Sequence, residues 1–154
     1  MKRIFARPRG AVSQVFYVSE SLLMDCYYIA NQSRPNNAEA IYSSMAQEVN
    51  DGNHILFAYK ANDYLYGFVK GHLSRKYLGA APEAKIDWLF VEPGCQRGGI
   101  GTQLVAAYEQ YCIQMGAGRV SVQPAPTIQA KNFYAKCGYA PAEVSCLYVK
   151  NLGR

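Results

Sequence analysis

The residues with the most chemical promise run from Val91 to Leu104, Val-Glu-Pro-Gly-Cys-Gln-Arg-Gly-Gly-Ile-Gly-Thr-Gln-Leu. An apolar run, Ile86 to Val91, reads as a buried strand before it, and a long amphipathic segment follows as a helix. Gly98, Gly99 and Gly101 fall at the junction. A helix start leaves backbone N–H groups without intrahelical partners and carries partial positive charge. Glycines let such backbone approach a ligand closely. Strand, glycine-rich turn and helix together make an anion site, most often for phosphate. The NTPase phosphate loop is excluded, because no glycine is followed by Lys-Ser or Lys-Thr. A dinucleotide fingerprint is excluded too. The glycine spacing is wrong, the motif lies two-thirds along the chain, and Met115 to Pro126 offers no acid for a ribose.

Asp87 stands in the otherwise apolar strand Lys85 to Val91. Burying an acid there is costly unless it is paired or functional. By strand alternation Asp87, Leu89 and Val91 share one face, and Trp88 and Phe90 the other. The five cysteines, Cys26, Cys95, Cys112, Cys137 and Cys146, are dispersed and form no Cys-x-x-Cys. That points away from disulfides and structural zinc, and toward a reducing cytoplasm. His54 and His72 are far apart in sequence and read as strand residues, so no metal is expected.

These groups need elements to position them. Lys2–Ala6 reads as a first strand and Arg7–Gly10 as a turn. Ser13–Gln32 reads as a helix with Val15, Leu22, Leu23, Cys26 and Ile29 buried. Ala38–Val49 is expected as a second helix, stopped by Asn50-Asp51-Gly52. His54–Lys60 and Tyr64–Leu73 form a hairpin turning at Asn62-Asp63, and Lys85–Val91 is the next strand. Gly99–Met115 is the clearest helix. Ile100, Leu104, Tyr108, Tyr111 and Met115 make its apolar stripe, and Glu109 lies on the polar side. Arg119–Val122 is a strand, Pro126–Cys137 a helix with its proline in the first turn, and Val144–Val149 a closing strand. The 154 residues suffice for one domain spanning 1–154 and not for two. No apolar run approaches the ~20 residues of a membrane helix, and no secretory signal pattern opens the chain. The net charge of +5 gathers partly at Lys2, Arg3, Arg7, Arg9, Arg75 and Lys76. Such a charge permits an anionic partner, nucleic acid included, without demanding one.

With these elements in place, Val91, Pro93, Gln96, Gly99 and Gly101 fill the fixed positions of Val-x-Pro-x-x-[Gln/Arg]-x-x-Gly-x-[Gly/Ala], the acetyl-CoA signature of the GNAT N-acetyltransferases. Phe133-Tyr134-Ala135-Lys136-Cys137-Gly138-Tyr139 resembles that family's Phe-Tyr-x-x-x-Gly-[Phe/Tyr] segment. The order β-α-α-β-β-β-α-β-α-β is also the family's, so the resemblance spans nearly the whole chain. It implies an α/β GNAT fold, a mixed central sheet flanked by helices, with acetyl-CoA as co-substrate. It assigns the pyrophosphate to the amides of Arg97, Gly98, Gly99, Ile100, Gly101 and Thr102, and the acetyl and pantetheine amides to the backbone of Leu89 and Val91. In the family the position of Thr127 contacts the pantetheine, and by three- and four-residue spacing Thr127 and Lys131 share the helical face of Tyr134, which makes both candidate cofactor contacts. Many members carry Asn where Thr127 stands, and Asn132 projects away, so the helix's polar contact differs from the family pattern. By the same resemblance Tyr134 protonates the leaving thiolate; otherwise it is a packing aromatic. Asp87 either accepts the amine's proton or pairs with a basic neighbour. Tyr27, Tyr28 and Tyr42 fall on the helices that frame the acceptor pocket in this fold.

The expected reaction is direct transfer of an acetyl group to a primary amine of a small molecule or peptide in a ternary complex. Cys95 and Cys137 invite a ping-pong scheme, but neither has a base nearby in sequence. Two other readings remain on the same fold: a non-catalytic acyl-CoA sensor, and a basic enzyme acetylating charged tRNA. A homodimer is compatible with the chain.

Overall fold

The computed structural model describes residues 9–48, 54–96, 98–142 and 147–153. The expected strand Lys2–Ala6 and the Asn50-Asp51-Gly52 stop lie outside them. Seven strands form one sheet in the order β1-β2-β3-β4-β5-β7-β6. They are β1 (Ala11–Val15), β2 (His54–Ala61), β3 (Tyr64–Ser74), β4 (Glu83–Val91), β5 (Arg119–Val122), β6 (Ala140–Pro141) and β7 (Tyr148–Asn151). Four helices, α1 (Glu20–Ser33), α2 (Ala38–Glu48), α3 (Ile100–Gln114) and α4 (Ile128–Lys136), pack on its faces. Neighbouring strands run antiparallel except β4 and β5, which are parallel.

The first helix starts later than its periodicity suggests. Ser13 and Val15 belong to β1, which pairs with β2 from Ala11↔Lys60 to Val15↔Leu56. Ser19 supplies the true start, its hydroxyl accepting the Leu22 N–H at 3.2 Å. The α4 boundary moves for the same reason. Thr127 Oγ1 accepts the Ala130 N–H at 3.1 Å, so Pro126 lies outside the helix rather than in its first turn. The β2–β3 hairpin turns where expected. Asn62 and Asp63 both have positive φ, 51° and 62°, as a two-residue turn of the right twist needs.

Two apolar clusters cover the two faces of the sheet. One joins Ile86, Val120 and Val122 to Ile100, Leu104, Tyr108 and Cys112 of α3. The other joins Leu56, Phe68 and Phe90 to Leu22, Cys26, Ile29, Ile41 and Met45 of α1 and α2. The α3 stripe drifts from its expected line. Met115 is exposed, Cys112 is buried, and Glu109, expected on the wet face, is buried and paired with Lys150 at 2.8 Å. Of the expected closing strand Val144–Val149, residues 144–146 lie outside the described residues; β7 takes in Tyr148 and Val149 and continues to Asn151, and the short edge strand β6 was not foreseen. No helix of the described residues is long and apolar enough to cross a membrane.

Two departures from regularity in β4 shape the site. Opposite β3, Lys70 pairs with Trp88 and Gly71 with Ile86, so Asp87 is the extra residue of a β-bulge. Opposite β5, pairing covers only Ala84 to Ile86, and β4 continues to Val91. The parallel pair therefore splays beyond Ile86.

Candidate active site

The bulge overturns the strand alternation expected for Asp87. Ile86 packs on the α3 side, and so do Leu89 and Val91, an odd step away. Trp88 and Phe90 pack on the α1/α2 side. Asp87 turns to that same side, where its Oδ2 meets Lys70 Nζ at 3.3 Å and His72 Nδ1 at 2.8 Å. Asp87 therefore shares a face with Trp88, not with Leu89 and Val91. Tyr108 braces the bulge from the α3 side. Its hydroxyl donates to the Lys85 carbonyl at 2.7 Å, passing a position where any Cβ on Gly71 would collide with it.

A cleft of 640 Å³ opens over Asp87, bordered by Arg34 at the end of α1, by Glu48, and by the Gln123–Pro126 turn after β5. On its floor a polar row crosses the sheet. His54 sits opposite His72, and His72 opposite Lys85. Lys70 is 1% exposed, and its ammonium bridges Glu48 Oε2 at 2.9 Å and Asp87 Oδ2. Burial alone would raise the Asp87 carboxyl, but the His72 hydrogen bond and the Lys70 charge outweigh it and hold the group below its usual range. Asp87 is thus an ionised, paired carboxylate. Ligand atoms of His54, His72 and Asp87 lie within 4.8 Å of one another, a donor set that the sequence separation of the histidines conceals. The Lys70 ammonium already supplies positive charge beside that carboxylate.

On the opposite side, α3 starts with Gly99 in the left-handed region, φ 84°, and no side chain caps it. Its ladder begins with Gln103 N–H donating to the Gly99 carbonyl at 3.0 Å. The N–H groups of Ile100, Gly101 and Thr102 thus face outward from the helix end. Gly98 adjoins them, and Arg97 lies outside the described residues. This uncapped cluster fits an oxyanion such as a pyrophosphate. Gly101 serves packing as well: a Cβ there would lie 3.2 Å from the Phe133 ring. Gln96 steadies the preceding loop, its amide donating to the Val91 carbonyl at 3.2 Å. The stretch of β4 that includes Leu89 and Val91, paired with β3 but not with β5, borders the splay.

Tyr134 is 7% exposed and stacks edge-on against Phe133 and Tyr139. Burial, then Cys137, pushes its phenol above the ordinary range, while Arg34 pulls the other way. It therefore stays protonated at neutral pH. Thr127 and Lys131, two turns and one turn earlier, are exposed, and the Thr127 hydroxyl oxygen already accepts the helix cap. Both Cys95 and Cys137 are raised, chiefly by burial, which makes them weak thiolate sources. Tyr27 packs edge-on against Tyr28 and Tyr42, and none of the three lines the cleft; Trp88 does. Sequence reading missed Lys70, His72, Glu48 and Arg34. A lysine and a histidine two apart in an apolar strand were the available signal.

The family model described as "Acetyltransferase (GNAT) family" matches residues 19–139. No curated protein matches by sequence. Among solved structures, a protein assigned to the GNAT acetyltransferases from Desulfovibrio desulfuricans superposes with TM-score 0.78 at 14% identity, covering 92% of this chain and 99% of its own. The aminoglycoside N-acetyltransferase AAC(6')-Iy, in complex with CoA, gives 0.73 at 16% identity, with 88% and 91% covered. An aminoglycoside acetyltransferase from an uncultured soil metagenomic sample, in complex with sisomicin, gives 0.71 at 20%, with 88% and 91% covered. Sheet, helix order and matched span agree: the chain belongs to the GNAT acetyltransferase family.

Proposed function

We propose that this protein, acting as a single domain, transfers the acetyl group of acetyl-CoA to a primary amine by direct transfer in a ternary complex. The observation that carries this reading is the two-sided build of β4. Its bulge turns Asp87 into a cleft on one face, while its end, freed from β5, leads to the open helix terminus of α3 on the other. In this reading the amides of Gly98 to Thr102 hold the pyrophosphate, with Arg97 beside them. The backbone of Leu89 and Val91 borders the acyl arm, and Thr127 and Lys131 lie on its far side. Bound acetyl-CoA supplies an activated acyl group.

The chain's own residues handle the protons. Asp87, ionised, fixes His72 through the 2.8 Å contact at Nδ1. The remaining imidazole nitrogen takes a proton from the incoming ammonium, through water where needed. As the new N–C bond forms and the C–S bond breaks, the Tyr134 hydroxyl donates to the departing sulfur. The Lys70 ammonium, itself anchored by Glu48, holds Asp87 in place. Thiol release from acetyl-CoA in the presence of amines, with mass detection of the N-acetyl product, tests this. An acetylated cysteine on the protein, competent to pass its acyl group on, would replace direct transfer by ping-pong.

A further inference from the structure

The acceptor cleft has an uneven charge ledger. Three formal cations, Arg34, Lys70 and Lys85, line it against two carboxylates, Glu48 and Asp87. Both carboxylates are engaged: each pairs with Lys70, and Asp87 also holds His72. Arg34 and Lys85 take part in no ion pair among the described residues. The Glu48–Lys70–Asp87 trio thus keeps one net negative charge, and Arg34 and Lys85 add two unpaired positive ones. Arg34 stands where α1 ends, and Lys85 stands on β4 two residues before Asp87 and opposite His72.

This pattern bears on what the cleft accepts. An acceptor with several ammonium groups, such as an aminoglycoside, would bring more positive charge than the one net negative charge of the Glu48–Lys70–Asp87 trio can offset, and would bring it beside Arg34 and Lys85. Like charges brought close repel, and the more strongly as water is excluded. An amine that also carries an oxyanion meets the opposite situation. A guanidinium binds carboxylate or phosphate in a two-point fork, and an ammonium adds a point charge. The two cations would take the oxyanion and leave the amine free to reach the proton-accepting pair.

Resting on the acetyl-transfer reading above, the geometry points to an acceptor that is a monoamine bearing a carboxylate or phosphate, seated on Arg34 and Lys85 with its nitrogen toward His72 and Asp87. Trp88, the chain's single tryptophan, lines the same cleft and reports occupancy by fluorescence without any chemistry.

The test titrates CoA-loaded protein with matched probes. β-Alanine and phosphoethanolamine carry the oxyanion, β-alaninamide and ethanolamine lack it, and sisomicin supplies the polycation. Either oxyanion-bearing amine is expected to bind about tenfold or more tighter than its neutral partner, the scale of one charge-assisted contact. The two oxyanion probes rank carboxylate against phosphate. The preference should shrink with added salt. Arg34→Gln and Lys85→Gln should each remove most of it, leave the neutral amine's affinity unchanged, and melt as the parent does. Equal or tighter binding of the neutral amine or of sisomicin overturns the proposal. So does a preference untouched by both substitutions, or no Trp88 response to either oxyanion-bearing probe while CoA still binds. The two readings fail separately. Preferential binding with no thiol released from acetyl-CoA defeats the transferase and keeps the recognition. Thiol release favouring neutral or polycationic amines does the reverse.

Discussion

Replacing Lys70 by Met removes an ammonium that touches Glu48 Oε2 at 2.9 Å and Asp87 Oδ2 at 3.3 Å, and keeps an apolar stem of similar length. The two losses are unequal. The Glu48 side chain is 42% exposed, so water replaces the contact and the loss there is about 0–1 kcal/mol. The Asp87 side chain is 17% exposed and keeps only His72. Stranding one member of a buried pair costs about 3–5 kcal/mol. With the His72 bond offsetting part of that, the expected loss is about 3 kcal/mol at neutral pH, or a fall in Tm of about 6–12 °C for a chain of this size. The pH dependence has a definite sign. Asp87 titrates below its ordinary value in the folded protein. Its stabilisation is therefore present above the unfolded pKa of ~3.9 and lost as pH falls through the folded value. Lys70→Met removes one cause of that depression, so its penalty should be full at pH 7 and shrink below about pH 4, as Asp87 takes a proton. Melting curves of parent and variant at pH 7, 5 and 3.5 measure this, with the CoA-induced shift as a check on the α3 end. A Tm difference that holds constant or widens as pH falls would refute the pairing of Lys70 with Asp87.

Three further outcomes follow from the same geometry. Tyr134→Phe keeps the ring stack and deletes the hydroxyl. It should lower kcat by ~10²–10⁴-fold with CoA affinity little changed, and an undiminished kcat with chemistry rate-limiting would return Tyr134 to packing. Gly99→Glu forces a side chain and a negative charge onto a left-handed position at the uncapped start of α3, and should abolish the thermal shift with CoA while the chain still folds. Asp87→Asn should depress kcat/KM most at low pH, where the substrate is ammonium, and progressively less toward the amine's own pKa. pH–rate profiles parallel to the parent's would leave Asp87 a purely structural anchor.

The parts of this molecule legible in its sequence were those written locally. The Val91–Leu104 junction, the α3 helix, the Asn62-Asp63 turn and the flanking strands follow from glycine placement, turn chemistry and periodicity over a few residues. Boundaries slipped where a cap overruled periodicity, as Ser19 and Thr127 do. Glu109 was misplaced because its burial depends on Lys150, 41 residues away. The cleft was the least legible part. His54, His72 and Asp87 meet through strand register, and the face that Asp87 occupies depends on a bulge that no residue near it announces. Its nearest trace is Gly71 on the neighbouring strand, which must lack a side chain for Tyr108 to reach the Lys85 carbonyl.

Under the proposed transfer, that bulge lets one strand serve two ligands. In a regular strand, consecutive residues face opposite sides, so an acid beside Trp88 would point at α3 and into the apolar cluster there. The extra residue lets Asp87 and Trp88 both face the cleft, while Leu89 and Val91 return to the α3 side, toward the glycine-rich helix start. Parallel pairing with β5 stops at the same place, after Ile86, so β4 keeps only β3 beside it just where the proposed ligands would need its backbone. Tyr108 ties the two effects together, because its bond to the Lys85 carbonyl holds the strand at the last paired turn before the bulge. Position in the strand, rather than the identity of any one acid, is what brings the His72–Asp87 pair and the uncapped start of α3 to opposite faces of one sheet.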